Sequence, residues 1–159
     1  MPAALSPHED RPGVDMPPPL YFLGPLVALL LIEWAVPTRF LAHPWGWIAG
    51  AVLLLAGPTL IILAATTQRR AGTDFRPDRP STKIVSHGVY ARTRNPIYVG
   101  FALITAGVAF LADSLWALAA VPIGLALIHA FVVVREERYL ERKFGEEYLA
   151  YKRLVRRWL

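Results

Sequence analysis

The stretch from Trp45 to Ala65 carries no charged residue. As a helix rising about 1.5 Å per residue, it is long enough to cross the roughly 30 Å hydrocarbon core of a bilayer. Three further apolar runs accompany it. Leu20 to Val36 is broken only by Glu33 near its end, and Ile97 to Ala112 and Leu115 to Val134 are separated only by Asp113-Ser114. The last two must therefore turn back on each other at one membrane face. The expected fold class is all-α: a polytopic membrane protein with about four transmembrane helices, at residues 20–36, 45–65, 97–112 and 115–134. Apolar residues make up 55% of the chain and charged residues 18%, and their gathering into blocks makes 20–159 a single domain. A soluble helical core is the alternative, but it rarely needs such long uncharged runs. Gly100 and Gly107 lie in the short third run, where small residues allow tight packing against neighbouring helices.

Residues 1–19 contain prolines at 2, 7, 12, 17, 18 and 19 with Glu9, Asp10 and Asp15. That is the wrong make-up for a basic signal-peptide start and predicts a disordered tail. The sequence has no cysteine, which excludes disulfides, thiolate nucleophiles and cysteine metal sites.

Positive charge marks one membrane side. The second-to-third connection holds Arg69, Arg70, Arg76, Arg79, Lys83, Arg92 and Arg94 against Asp74 and Asp78, whereas the first-to-second connection holds Arg39. Residues after Val134 add Arg135, Arg138, Arg142, Lys143, Lys152, Arg153, Arg156 and Arg157. By the positive-inside rule, 66–95, 135–159 and both termini are expected in the cytoplasm. The formal net charge of +5 sits at span ends, where anionic headgroups attract it, so the bilayer rather than a nucleic acid is the expected partner. Trp34, Trp45, Trp47, Trp116 and Trp158 fall near span ends as interfacial anchors. His8, His43, His87 and His129 are not at ligand spacing, so no metal site is expected. His129, inside the fourth run, is expected to pair within the bundle.

Polar chemistry concentrates between Ser86 and Gly100 and again at Arg135-Glu136-Glu137. In Asn95-Pro96, proline suits the first helical position and asparagine is expected to cap the exposed amides, so the third helix should begin at Pro96. Its N-terminus and Arg94 form a site suited to an anion; the other reading is punctuation, with Arg94 snorkelling to lipid phosphate. Arg142 with Glu146 and Lys143 with Glu147 have i,i+4 spacing, as on a solvated surface helix. On that reading Glu136 and Glu137 only solvate the helix. At a membrane exit, however, adjacent carboxylates need a cation, hydroxyls or water.

Taken together, Gly88-Val89-Tyr90, Arg94-Asn95-Pro96-Ile97-Tyr98-Val99-Gly100, Glu136-Glu137 and Phe144-Gly145-Glu146-Glu147-Tyr148-Leu149-Ala150-Tyr151 resemble motifs of the isoprenylcysteine carboxyl methyltransferase and phospholipid methyltransferase family of integral membrane enzymes. The resemblance covers Ser81 to Leu159, about half the chain. It implies a methyltransferase with S-adenosylmethionine as cofactor and a lipophilic or small-molecule methyl acceptor. It also implies a cytoplasmic cofactor-binding loop and a C-terminal helix. The implied cofactor residues are Thr82, Lys83, Ile84, Val85, Tyr90, Arg94, Asn95, Pro96, Tyr98, Gly100, Glu136 and Glu137. Arg94 would take the methionine carboxylate, and Glu136 would lie beside the methyl-transfer path as candidate base. Asn95 stands where the eukaryotic enzymes have histidine, and Val132 where the isoprenylcysteine enzymes place an arginine; both point away from a prenylcysteine acceptor. The alternatives are a nicotinamide enzyme like the sterol reductases, with which the Gly88 to Gly100 segment fits less well, and a non-catalytic membrane module of the same fold.

Overall fold

The computed structural model describes residues 13–14, 16–41, 44–74 and 80–159, and every regular element among them is helical. The helices are α1 (Leu20–Ala35), α2 (Trp45–Arg70), α3 (Pro96–Leu111), α4 (Leu115–Ile128), α5 (Val134–Phe144) and α6 (Glu146–Leu154). A 3-10 turn at Gly88–Ala91 precedes α3, and a π turn at His129–Val133 joins α4 to α5 in one continuous helix, Leu115–Phe144. Most of the expected tail (1–12 and 15), together with His43, Arg76, Asp78 and Arg79, lies outside the described residues. Of the rest of that tail, the Gly13 carbonyl accepts from Arg135 Nη1 at 2.7 Å, and Val14 packs on the core formed by Tyr21, Phe22, Tyr98 and Ile128.

α2 and Leu115–Phe144 are long and apolar enough to cross a membrane, each with a mean hydropathy of 2.4 over its best window. α1 and α3 are apolar helices of 16 residues, about 24 Å each. α2 leaves Val52, Leu55, Ile62 and Leu63 exposed, a continuous apolar face of the kind that lipid covers. Proline lies inside α1, α2 and α4, at Pro25, Pro58 and Pro122. Threonine hydroxyls inside the helices donate back to the preceding turn, as Thr105 Oγ1 does to the Phe101 carbonyl at 2.9 Å. These hydroxyls are thereby satisfied within their own helices.

α2 packs along α3, α3 along α4, and α1 closes against α4. The α2–α3 seam is made by glycine. A Cβ on Gly100 would meet Ile61 Cγ1 at 2.5 Å and the Gly57 carbonyl at 2.9 Å, and one on Gly50 would meet the Gly107 carbonyl at 2.9 Å. The two backbones thus touch at two levels, the close approach that small residues permit in a bilayer.

One end of the bundle is fastened by a polar cluster. Glu33 accepts from Ser114 Oγ at 2.5 Å and Thr38 Oγ1 at 2.6 Å, and from the Thr38 amide. Asp113 Oδ1 accepts from the amides of Phe40 and Leu41 at 3.0 and 2.9 Å. Ser114 also caps α4, accepting from the Ala117 amide at 3.0 Å. Glu33, the one charge in the first apolar run, is therefore a loop fastener. The other end gathers the last turn of α2, the start of α3, and α5 and α6.

The expected single polar helix is two helices. Gly145 adopts φ 55° and ψ −127°, a conformation that ends α5, so Arg142 and Glu146 or Lys143 and Glu147 do not share a helix. α6 instead folds back on α5, with Lys152 Nζ 2.5 Å from Glu141 Oε1, while Arg153 and Glu146 pair within α6 itself, Nη2 lying 3.9 Å from Oε2. His129 likewise departs from expectation. Its Nδ1 is buried without a hydrogen-bond partner among the described residues, and its ring lies 6.4 Å from that of Trp158.

The glycine seam has a measurable consequence. Gly100→Ala should separate α2 from α3 and lower stability by about 1–3 kcal/mol, the usual cost of overpacking. A lowered thermal midpoint in detergent is expected, and an unchanged midpoint would contradict this packing.

Candidate active site

α3 begins at Pro96, as the Asn95-Pro96 pair predicts, but Asn95 does not cap it with its side chain. The Asn95 amide is drawn elsewhere: its Nδ2 donates to the Arg157 carbonyl at 2.9 Å, alongside Thr93 Oγ1 at 3.1 Å, while the Arg94 N–H donates to the Arg156 carbonyl at 3.0 Å. The segment after α6 therefore lies against the start of α3. The N-terminal amides of α3 receive no side-chain cap from Asn95, and the positive end of the helix stays available.

Beside it opens a cleft of about 860 Å³ of empty space, counting the part open to solvent. Lys83, Ile84, Val85, Tyr90, Arg94, Asn95, Pro96, Tyr98, Glu136 and Glu137 all line it. Two of the residues singled out from sequence do not. Thr82 is exposed, its hydroxyl donating to the Gly72 carbonyl at 2.8 Å, and Gly100 is packed against α2. Both are explained by packing and turn formation.

The two glutamates have different tasks. Glu137 is buried and held by guanidinium groups on both sides: Arg157 Nε and Nη2 donate to its Oε1 and Oε2 at 2.9 and 2.8 Å, and Arg94 Nη1 lies 3.1 Å from Oε1. The Arg94 and Glu137 side chains are each only 8% exposed. The Arg94–Glu137 contact is an ion pair without the alignment of a hydrogen bond, and Arg94 Nε and Nη1 have no hydrogen-bond partner among the described residues. Buried guanidinium N–H groups left unpaired are costly and point to a missing acceptor. Glu136, one residue earlier and about 100° around the helix, accepts from the Tyr98 hydroxyl at 2.8 Å through Oε1. It lies past the apolar run of the continuous helix, and burial, reinforced by the neighbouring Glu137, pushes its carboxyl up to about 7 against the opposing effect of the Tyr98 hydrogen bond.

Further cleft residues had no assigned role in sequence. Gln68 sits in the last turn of α2, and its Oε1 is buried without a hydrogen-bond partner among the described residues. Tyr139 is fully buried, its hydroxyl accepting from the Ser81 amide and from Lys143 Nζ, each at 3.1 Å. Tyr151 donates to the Tyr90 carbonyl at 2.8 Å, which ties the 3-10 turn to α6. Burial raises the phenols of Tyr90 and Tyr151 above their ordinary range and pushes that of Tyr148, beside Glu137 and Arg94, up to about 12. All three stay neutral hydroxyls at physiological pH.

These features coincide with a sequence match. The profile of a family described as phospholipid methyltransferase matches residues 45–147, about two thirds of the chain, from the start of α2 to the start of α6. The chain belongs to this family of methyltransferases. It is also similar to a Haemophilus influenzae protein described only as an uncharacterized protein, with 57% identity over 35 residues, covering 22% of this chain and 56% of that protein. The chain thus spans about half the length of that curated relative.

The state of Glu136 has a thermodynamic signature. A carboxyl that holds its proton more tightly in the folded chain stabilises the fold below its ordinary pKa of 4.5, and loses that contribution as pH rises through about 7. Between pH 5 and 8, the parent should lose stability relative to Glu136→Gln by at least about 1 kcal/mol, one pKa unit being worth about 1.4 kcal/mol. Thermal melts of both proteins across that range check it; parallel pH profiles would mean that Glu136 titrates normally.

Proposed function

We propose that the chain is an S-adenosylmethionine-dependent methyltransferase working at the cytoplasmic face of a membrane on a lipophilic or small-molecule acceptor. The observation that carries this reading is the Arg94 guanidinium, buried beside the α3 N-terminus in a cleft that also holds Glu136, with Nε and Nη1 lacking a hydrogen-bond partner among the described residues although Nη1 is ion-paired with Glu137. The residues suit the cofactor's groups. Arg94 and the helix N-terminus would bind its carboxylate. Gln68 Oε1, which has no donor among the described residues, would accept from its amino group. Glu136 and the Tyr90 ring offer negative charge and a π face to a ribose, an adenine or a sulfonium.

When bound, the cofactor supplies an electrophilic methyl carbon on sulfur, to which an acceptor lone pair bonds as the carbon–sulfur bond breaks and a neutral thioether leaves. The protein's part is then chiefly positioning and exclusion of water. A carboxylate or thiolate acceptor requires no base. An amine acceptor loses a proton, and Glu136, with a carboxyl near neutrality, is placed to take it while Tyr98 holds its other oxygen. Acceptor entry from the bilayer side follows from the apolar faces of the surrounding helices, and the family's description favours a phospholipid among lipophilic acceptors.

The test is single-turnover transfer of a labelled methyl group into extracted membrane lipids and small thiols. Glu136→Gln should fold normally and slow transfer at least about tenfold, within the range for loss of a general base or charge partner. Glu137→Gln should chiefly cost stability, since it leaves two guanidinium groups facing an amide. Folded variants that both transfer at the parental rate would remove the acidic pair from the site, and absence of label in every acceptor class would contradict the activity.

A further inference from the structure

We infer that Arg157 is a positioning residue of the anion-binding half of the cleft, acting on Arg94 through Glu137; this rests on the reading of the cleft as a cofactor site. Arg157 does not line the cleft, so it acts at one remove. Its Nε and Nη2 take both oxygens of Glu137 in a fork, at 2.9 and 2.8 Å. Glu137 therefore cannot present a fork to Arg94, whose Nη1 lies 3.1 Å from Oε1 and whose Nε has no hydrogen-bond partner among the described residues. Both side chains of that inner contact are only 8% exposed, so water competes weakly for those N–H groups.

The backbone around Arg157 holds it in this place. The carbonyls of Arg156 and Arg157 accept from the Arg94 N–H, Thr93 Oγ1 and Asn95 Nδ2 at 3.0, 3.1 and 2.9 Å, and Trp158 packs beside the core that contains Tyr98. Asn95 thus serves the site as the anchor of the segment that carries Arg157. Without the Arg157 fork, Glu137 can turn to pair with Arg94 through two hydrogen bonds, the preferred geometry of an arginine–carboxylate pair. Arg94 would then have fewer donors for an incoming carboxylate. Lysine at this position keeps the charge but cannot supply the fork.

Two ligands separate this role from a merely structural one. S-Adenosylhomocysteine carries the amino-acid carboxylate, whereas 5′-methylthioadenosine keeps the nucleoside and thioether and lacks it. Equilibrium binding of both to the full chain and to Arg157→Ala should show a loss on the order of tenfold for the first ligand, the effect of one charge-assisted hydrogen bond, with the second changed less than about twofold. Arg157→Lys, which keeps a cation for the segment, should show the same selective loss in milder form and stands in if the alanine variant does not fold. Adding Glu137→Gln to Arg157→Ala should restore part of the lost affinity, because the competing carboxylate is gone. Equal losses for both ligands, or none for either, would overturn the inference while leaving the cofactor reading standing. A parent chain that binds neither ligand would overturn both.

Discussion

The Glu137 carboxylate, buried between Arg94 and Arg157, is the contact on which the rest of the functional end depends. It joins three separate parts of the chain: the turn before α3, the helix that leaves the bundle after the π turn, and the segment after α6. Removing one partner of such a buried pair typically costs about 3–5 kcal/mol because a charge is left uncompensated. The pair also explains why adjacent glutamates can stand at the exit of an apolar helix. One is neutralised by two cations, and the other is held by Tyr98 with a carboxyl near neutrality.

The two ends of the bundle treat charge in opposite ways. Where Glu33, Thr38, Asp113 and Ser114 meet, the carboxylates accept from hydroxyls and loop amides, and the cluster holds the loops. At the other end the polar groups are incompletely matched: Arg94 Nε and Nη1 and Gln68 Oε1 are buried with no hydrogen-bond partner among the described residues. Between the ends, glycine lets α2 and α3 touch, and their close contact sets where the last turn of α2, with Gln68, lies relative to Arg94. On the proposed reading, the incomplete end is the one that takes a ligand with both an anionic and a cationic group.

Much of this was legible in the residue order, and the remainder was hidden for identifiable reasons. Uncharged runs and the Asn95-Pro96 pair place the helices closely, since length and proline geometry are local properties. That Arg94, Tyr98 and Glu136 lie together at one cleft was likewise readable, because each is a polar or aromatic residue at the edge of an apolar run. Asn95 was misread as a side-chain cap: the carbonyl that captures its amide comes from residue 157, a contact that no local pattern encodes. The i,i+4 pairs across Gly145 failed because a positive φ there ends the helix, although the glycine itself was a visible warning. Gln68 was overlooked among the basic residues ending α2, where a lone amide in Thr67-Gln68-Arg69 was its only signal. Gly100 was assigned to the cofactor because it stands inside a motif, yet its neighbours are Gly57 and Ile61.

The central claim is that Arg94 supplies the anion-binding group of the cleft. Its most direct test is the dissociation constant of S-adenosylmethionine for the purified parent, for Arg94→Ala and for Arg92→Ala, the exposed neighbour two residues earlier. The account predicts saturable binding by the parent, a loss of about 1.5–3 kcal/mol for Arg94→Ala, the range for a hydrogen bond to a charged group, and parental affinity for Arg92→Ala. Equal affinity in all three proteins, or no binding by the parent, would contradict it.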